Sequence, residues 1–214
     1  MLALHEAKAR KGVKPLLPRI LTTQRNGSEP FRLGDVPLDR KVAHFWRWAA
    51  SDFLGNTFRG WLAEYIVAVD FGVDTKPRND WEAYDLTFAG LKIEVKSSAY
   101  IQSWSQLWLS RPKFSIRPAR AWDPDTNEFL PDIKRHSDVY VFAVQHYQDQ
   151  ASLDPLDFSQ WTFLVVPTSA INMRHPTQKS IGLASIKALG ATGVSFGQVR
   201  AAVSAVGDGV REAV

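Results

Sequence analysis

Two short runs of alternating apolar and polar residues, 83–88 and 91–96, meet at Ala89–Gly90, and this pattern constrains the fold more than any other. In the first run Tyr84, Leu86 and Phe88 alternate with Asp85 and Thr87. In the second, Leu91, Ile93 and Val95 alternate with Lys92, Glu94 and Lys96. Successive strand side chains point to opposite faces, so each run reads as a half-buried strand. A glycine-containing pair between them predicts a hairpin turn. A two-residue loop pairs Phe88 with Leu91, Thr87 with Lys92, Leu86 with Ile93 and Asp85 with Glu94. A four-residue loop keeps that register, and a three-residue bulged loop breaks it.

Opposed residues on one face have Cβ atoms about 5 Å apart, and sheets normally avoid like charges there. Two carboxylates about 4 Å apart repel by roughly 4 kcal/mol at an effective dielectric near 20. A divalent cation between them would remove the conflict, because hard cations prefer oxygen ligands. Lys96, on the same face as Glu94, would offset part of it. The triplet acid-x-Lys carries no weight alone, since it recurs at Glu6-Ala-Lys8, Asp74-Thr-Lys76 and Asp132-Ile-Lys134. Glu94-Val-Lys96 differs in lying inside an alternating strand. Asp132-Ile-Lys134, after Pro131 in a polar stretch, is its strongest decoy.

The other expected elements flank this hairpin. Residues 1–38 mix basic residues with Pro15, Pro18, Pro30 and Pro37 and read as an irregular extension to a domain spanning 39–214. Asp39 is the expected cap of a helix over 40–50. A second helix is predicted over 54–69, with Leu54, Phe58, Trp61, Leu62, Tyr65, Ile66 and Val69 as its apolar stripe. Ser103 and Gln106 predict a capping box for a short helix carrying Trp104 and Trp108. Strands are expected over 113–120, 139–145, 161–166 and 181–186, with a polar loop over 123–131. Ser195 and Gln198 predict the start of a last helix reaching about residue 206. The order implies an α/β fold, a mixed β-sheet flanked by helices.

Asp85, then Glu94-Val-Lys96, after a helix that carries Glu64, resembles the PD-(D/E)xK nuclease superfamily, the fold of many type II restriction endonucleases. The resemblance covers roughly residues 53–110 and implies a restriction endonuclease-like α-β-β-β-α-β core. It implies that Asp85, Glu94 and the Val95 carbonyl hold Mg²⁺, with Mn²⁺ able to substitute, and that Lys96 orients or activates the attacking water. Glu64 matches a helix glutamate that is a metal ligand in several branches. Tyr84 stands where the family name has proline. Gln102 and Gln106 lie where some branches carry a glutamine motif, without its tyrosine. The implied partner is DNA, as a duplex, and such enzymes often act as homodimers.

Charge agrees with a polyanionic partner. Residues 1–41 hold nine Lys/Arg against four acids, while the whole chain carries +4. A basic arm can neutralise phosphates and speed encounter, or simply aid solubility. Arg111, Lys113, Arg117 and Arg120 form an acid-free cluster that could grip a DNA backbone, and Ser97 and Ser98 could donate to a phosphate. The chain has no cysteine, which excludes disulfides and thiolate-bound zinc. No apolar run approaches bilayer length, so a cytoplasmic protein without membrane partners is expected. His136, His146 and His175 show no metal-binding spacing. The rival expectations are a DNA-binding protein that keeps the fold without cleaving, and an interaction module whose hairpin charges are surface decoration.

Overall fold

A computed structural model describes residues 17–212. In chain order the elements are β1 (Pro30–Leu33), β2 (Val36–Lys41), α1 (Val42–Ala49), α2 (Asn56–Phe71), β3 (Leu86–Phe88), β4 (Leu91–Ala99), β5 (Lys113–Ser115), β6 (Ala119–Asp123) and β7 (Glu128–Lys134). Then follow β8 (Val139–Gln145), β9 (Trp161–Pro167), α3 (Thr168–Arg174), β10 (Ser180–Gly182), α4 (Leu183–Ala188), β11 (Gly193–Val194) and α5 (Val199–Glu212). The fold is mixed α/β. A five-stranded sheet has the order β11-β9-β8-β4-β3, with β4 and β8 parallel and its other neighbours antiparallel.

β8, with the sequence VYVFAVQ, is buried at every position, as a central strand covered on both faces must be. Its alternation divides the core in two. Val139, Val141 and Ala143 join Ile93, Val95, Phe163 and Val165 beneath α2 and α5. Tyr140, Phe142 and Val144 pack with Phe114, Ile116, Ile171, Ile181 and Ile186 on the opposite face. β4 pairs with β8 from Ile93 to Ala99, but β3 pairs with β4 only from Leu91 to Ile93. From Glu94 onward, the β3-side flank of β4 is therefore not closed by a strand among the described residues.

The hairpin has the expected two-residue turn. Phe88 faces Leu91, Thr87 faces Lys92 and Leu86 faces Ile93. Ala89 (φ 50°) and Gly90 (φ 80°) are both left-handed, the backbone of a turn whose twist matches the flanking strands. Regular pairing stops at Leu86, and the Asp85 N–H bonds to the Ile93 carbonyl at 3.0 Å.

Several expectations fail for local reasons. The chain is not irregular to residue 38, because β1 and β2 form a hairpin in which Pro30 pairs with Lys41. That pairing keeps Asp39 in β2, so α1 starts later, and the His44 ring accepts the Lys41 N–H. The buried face of α2 is turned from the expected stripe. Arg59, Leu62, Ala63, Ile66 and Val67 are buried, whereas Trp61 and Tyr65 are exposed.

No helix forms over 103–111. Gln106 instead accepts the Gln102 N–H and donates to the Tyr100 carbonyl and Ser110 Oγ, fixing a loop. Strand 113–120 is split into β5 and β6 around Pro118, whose ring nitrogen has no N–H to give. The expected polar loop over 123–131 is largely strand, since β6 and β7 pair around a turn where Asn127 takes φ 59°. Of 181–186, only the start is strand, and α4 takes the rest. At the last helix Gln198 accepts the Ser195 N–H as expected, but α5 runs to Glu212. No described helix is long and apolar enough to cross a membrane.

The turn generates the first prediction. A β-branched side chain at a left-handed position costs about 1–2 kcal/mol. Gly90→Val should lower the urea-unfolding free energy by about that much, while Ala89→Asn, which tolerates the same backbone, should leave it equal or higher.

Candidate functional site

The unpaired flank of β4 is where the charged residues gather. Asp85 Oδ2 accepts the Val95 N–H at 2.7 Å, so a carboxylate satisfies a donor that a neighbouring strand would otherwise take. Lys96 Nζ lies 3.8 Å from Asp85 Oδ2 and also contacts Glu94 Oε1. The hairpin thus brings Asp85, Glu94 and Lys96 together. The ammonium occupies the bridging position between the carboxylates. Val95 meets Asp85 through its N–H, and the carbonyl that the resemblance offers to a metal takes no part in that contact.

Glu64 joins this group electrostatically but has a partner of its own. Arg78 Nε meets Glu64 Oε2 at 2.5 Å, and Arg78 donates a second bond to Oε1 at 3.0 Å, a two-pronged ion pair. Arg78 also pairs with Asp80 and lies over the Trp61 ring, 5.5 Å from its centre. The Glu64 carboxylate is not solvated, since its side chain keeps only 12% exposure. Arg78 escaped the sequence reading. Residues 76–80 give only a turn signal, and nothing local links position 78 to position 64.

Burial pushes the Glu94 carboxyl above its ordinary 4.5. Lys96 pulls it back down, while Asp85 and Glu64 add to the rise. Glu64 is raised too, by burial first, with the Arg78 hydrogen bond opposing. Lys96 loses solvation on burial, yet Glu94 and Asp85 outweigh that loss and hold it above 10.5. Tyr140, opposite Glu94 in the β4–β8 ladder, is pushed up by burial and then by the Glu94 charge. The site therefore concentrates negative charge in a partly dry place and balances it with Lys96 and Arg78.

Beyond Lys96 the character reverses. A cleft of about 380 Å³ brings together Ser97, Ser98, Arg111 and Lys113, along with Arg59 of α2. Ser98 is partly committed to structure, since its Oγ accepts the Lys113 N–H at 3.2 Å. Ser97 sits beneath Gly60, where an added Cβ would lie 4.0 Å from the serine hydroxyl. Arg117 and Arg120 are exposed and do not line the cleft. Gln102, noted only for its place in the glutamine-motif resemblance, also lines the cleft, and Arg59 was missed as a site residue. The only available signal was an arginine on the α2 face shared with Leu62, Ala63 and Ile66.

The competing triplets separate clearly. Asp132 and Lys134 lie 3.4 Å apart on exposed β7, with no third charged partner in that ion pair. A further such triplet, Asp39-Arg40-Lys41, lies in fully exposed β2. Asp74-Thr-Lys76 is in an exposed loop, and Glu6-Ala-Lys8 falls outside the described residues.

Among the described residues no group of three or more His, Asp or Glu side chains is arranged to hold a metal ion. Asp85 and Glu94 still suit a hard cation, because both offer carboxylate oxygens to a position that a positive group already fills. Glu64 does not fit that donor set while Arg78 occupies both of its oxygens. The chain matches no family model, no curated protein and no solved structure.

The electrostatics carry a pH prediction. Folded Glu94 titrates above 4.5, so between 4.5 and that raised value unfolding releases a proton, and stability falls as pH climbs through the window. Lys96→Met removes the main charge pulling Glu94 down. In carboxyl-carbon NMR titrations with a chelator present, the variant's Glu94 should titrate higher still. An unmoved or lower Glu94 midpoint would contradict the ion pair.

Proposed function

We propose that this chain is a Mg²⁺-dependent DNA endonuclease of restriction endonuclease-like fold. The observation that carries the reading is the contact of one lysine, Lys96, with both Asp85 and Glu94 on the unpaired flank of a central strand. The adjoining cation-lined cleft supports it. Asp85 and Glu94 are the residues that would hold the ion, and Mn²⁺ would serve in its place. When bound, the metal supplies Lewis acidity toward a phosphate oxygen and lowers the pKa of water.

The chain's own residues supply positioning and charge. Asp85 is locked by the Val95 N–H, so its second oxygen is held in a fixed direction. Lys96 remains protonated at neutral pH because its two carboxylate neighbours favour the ammonium. As a proton donor it can hold an attacking water or steady the charge that develops on phosphate oxygens. Arg78 neutralises Glu64 beside these groups, leaving Glu64 as a supporting carboxylate unless Arg78 swings away. Arg111 and Lys113 would hold the DNA backbone, because phosphate contacts position a duplex without reading its sequence.

A second reading, a DNA-binding protein without cleavage, is favoured by one observation. Glu64, the helix carboxylate of the expected metal set, has both of its oxygens held by Arg78. The two readings part on a single assay. Supercoiled plasmid should be nicked with Mg²⁺ or Mn²⁺ and left intact with a chelator. Asp85→Ala, Glu94→Ala and Lys96→Ala should each slow nicking by about 100-fold or more. Salt-sensitive DNA binding without metal-dependent nicking would establish the second reading. Equal nicking by wild type and all three variants would overturn the site.

A further inference from the structure

Arg59 is the least expected residue of α2. It is 4% exposed on a helix face made otherwise of Leu62, Ala63, Ile66 and Val67. Burying a guanidinium is costly unless it is paired and hydrogen-bonded. Arg59 is hydrogen-bonded only to neutral groups, namely the Leu54 carbonyl at 3.0 Å, Gln102 Oε1 at 3.0 Å and Asn56 Oδ1 at 2.5 Å. It belongs to none of the described ion pairs, and among the described residues its Nε has no hydrogen-bond partner. Asp52 is the acid whose charge reaches it, but Asp52 Oδ1 accepts the N–H groups of Leu54 and Gly55.

The cleft that Arg59 lines repeats the imbalance. Arg111 and Lys113 add two more cations, Ser97 and Gln102 add neutral polar groups, and among the described residues no Asp or Glu lines it. Three positive charges around one small cavity repel one another, and the lining supplies nothing to offset them. An oxyanion with several acceptor oxygens would offset all three charges. Phosphate has that charge and geometry, and guanidinium groups bind it through paired N–H donors.

We propose that this cleft is a phosphate-binding subsite built on Arg59, with Arg111 and Lys113 at its mouth, for a phosphate group of a nucleic acid. The proposal rests on the nuclease reading only for the source of that phosphate. Ser97 and Ser98, which line the cleft, directly follow Lys96 in β4, so the cleft adjoins the strand that carries Glu94 and Lys96. The phosphate is either a terminal monoester or a diester within the strand.

The test needs neither metal nor cleavage, so its failure is distinct from failure of the nuclease reading. Inorganic phosphate is titrated into the full chain with a chelator present, following the Nε–H resonance of Arg59, assigned by its loss in Arg59→Lys. The resonance should shift in a saturable way. Lys113→Gln, an exposed change that leaves the packing of Arg59 intact, should weaken binding by about tenfold.

DNA hairpins carrying a 5′-phosphate, a 3′-phosphate or neither then identify the source. Tighter binding of one phosphorylated end, lost in Lys113→Gln, assigns a terminal monoester. Equal binding of all three, weakened in Lys113→Gln, assigns an internal diester. An Arg59 resonance that inorganic phosphate does not move, or unchanged affinity in Lys113→Gln, would overturn the proposal and leave Arg59 as a tether between α2 and the loop at Gln102.

Discussion

β4 has unequal neighbours, and much of the site depends on that asymmetry. On one side β8 pairs with it from Ile93 to Ala99, burying apolar side chains on both faces of the sheet. On the other side β3 covers only Leu91 to Ile93. The backbone beyond that point needs partners, because a partly buried N–H left unpaired costs as much as a lost hydrogen bond. Asp85 supplies one by turning its carboxylate onto the Val95 N–H. A structural need of the strand thereby places an acid beside Glu94, and Lys96 offsets the repulsion that follows.

Along this flank the balance of charge changes sign within a few residues. Asp85, Glu94 and Glu64 crowd together with Lys96 and Arg78 as their counterweights, and burial raises the Glu64 and Glu94 carboxyls. Past Ser97, cations gather without any acid. A phosphodiester strand laid along β4 would meet hard oxygen donors at one end and guanidinium and ammonium groups at the other. That complementarity connects the proposed cleavage chemistry to the proposed phosphate subsite.

The parts of the fold legible from the chain were those with short-range patterns. The hairpin about Ala89–Gly90, the continuous apolar run of β8 and the Gln198 contact at the start of α5 each depend on residues a few positions apart. The same kind of pattern misled at 103–111, where Gln106 matched a helix cap but spends its amide on Tyr100 and Ser110. It also misplaced the buried face of α2, because Trp61 and Tyr65 are apolar enough to look buried and yet face solvent.

By itself, the sequence determined that Glu94 and Lys96 share a strand face, and that a two-residue turn would bring Asp85 to them; the turn length was decided by the folded hairpin. Tertiary structure decided what surrounds them. It tied Glu64 to Arg78, fourteen residues away. It also brought Arg59 from a helix to Arg111 and Lys113 across an acid-free cleft. Local periodicity specifies which face a residue occupies. Which distant charge meets it there depends on how helices and loops pack over the sheet, and no period in the chain records that.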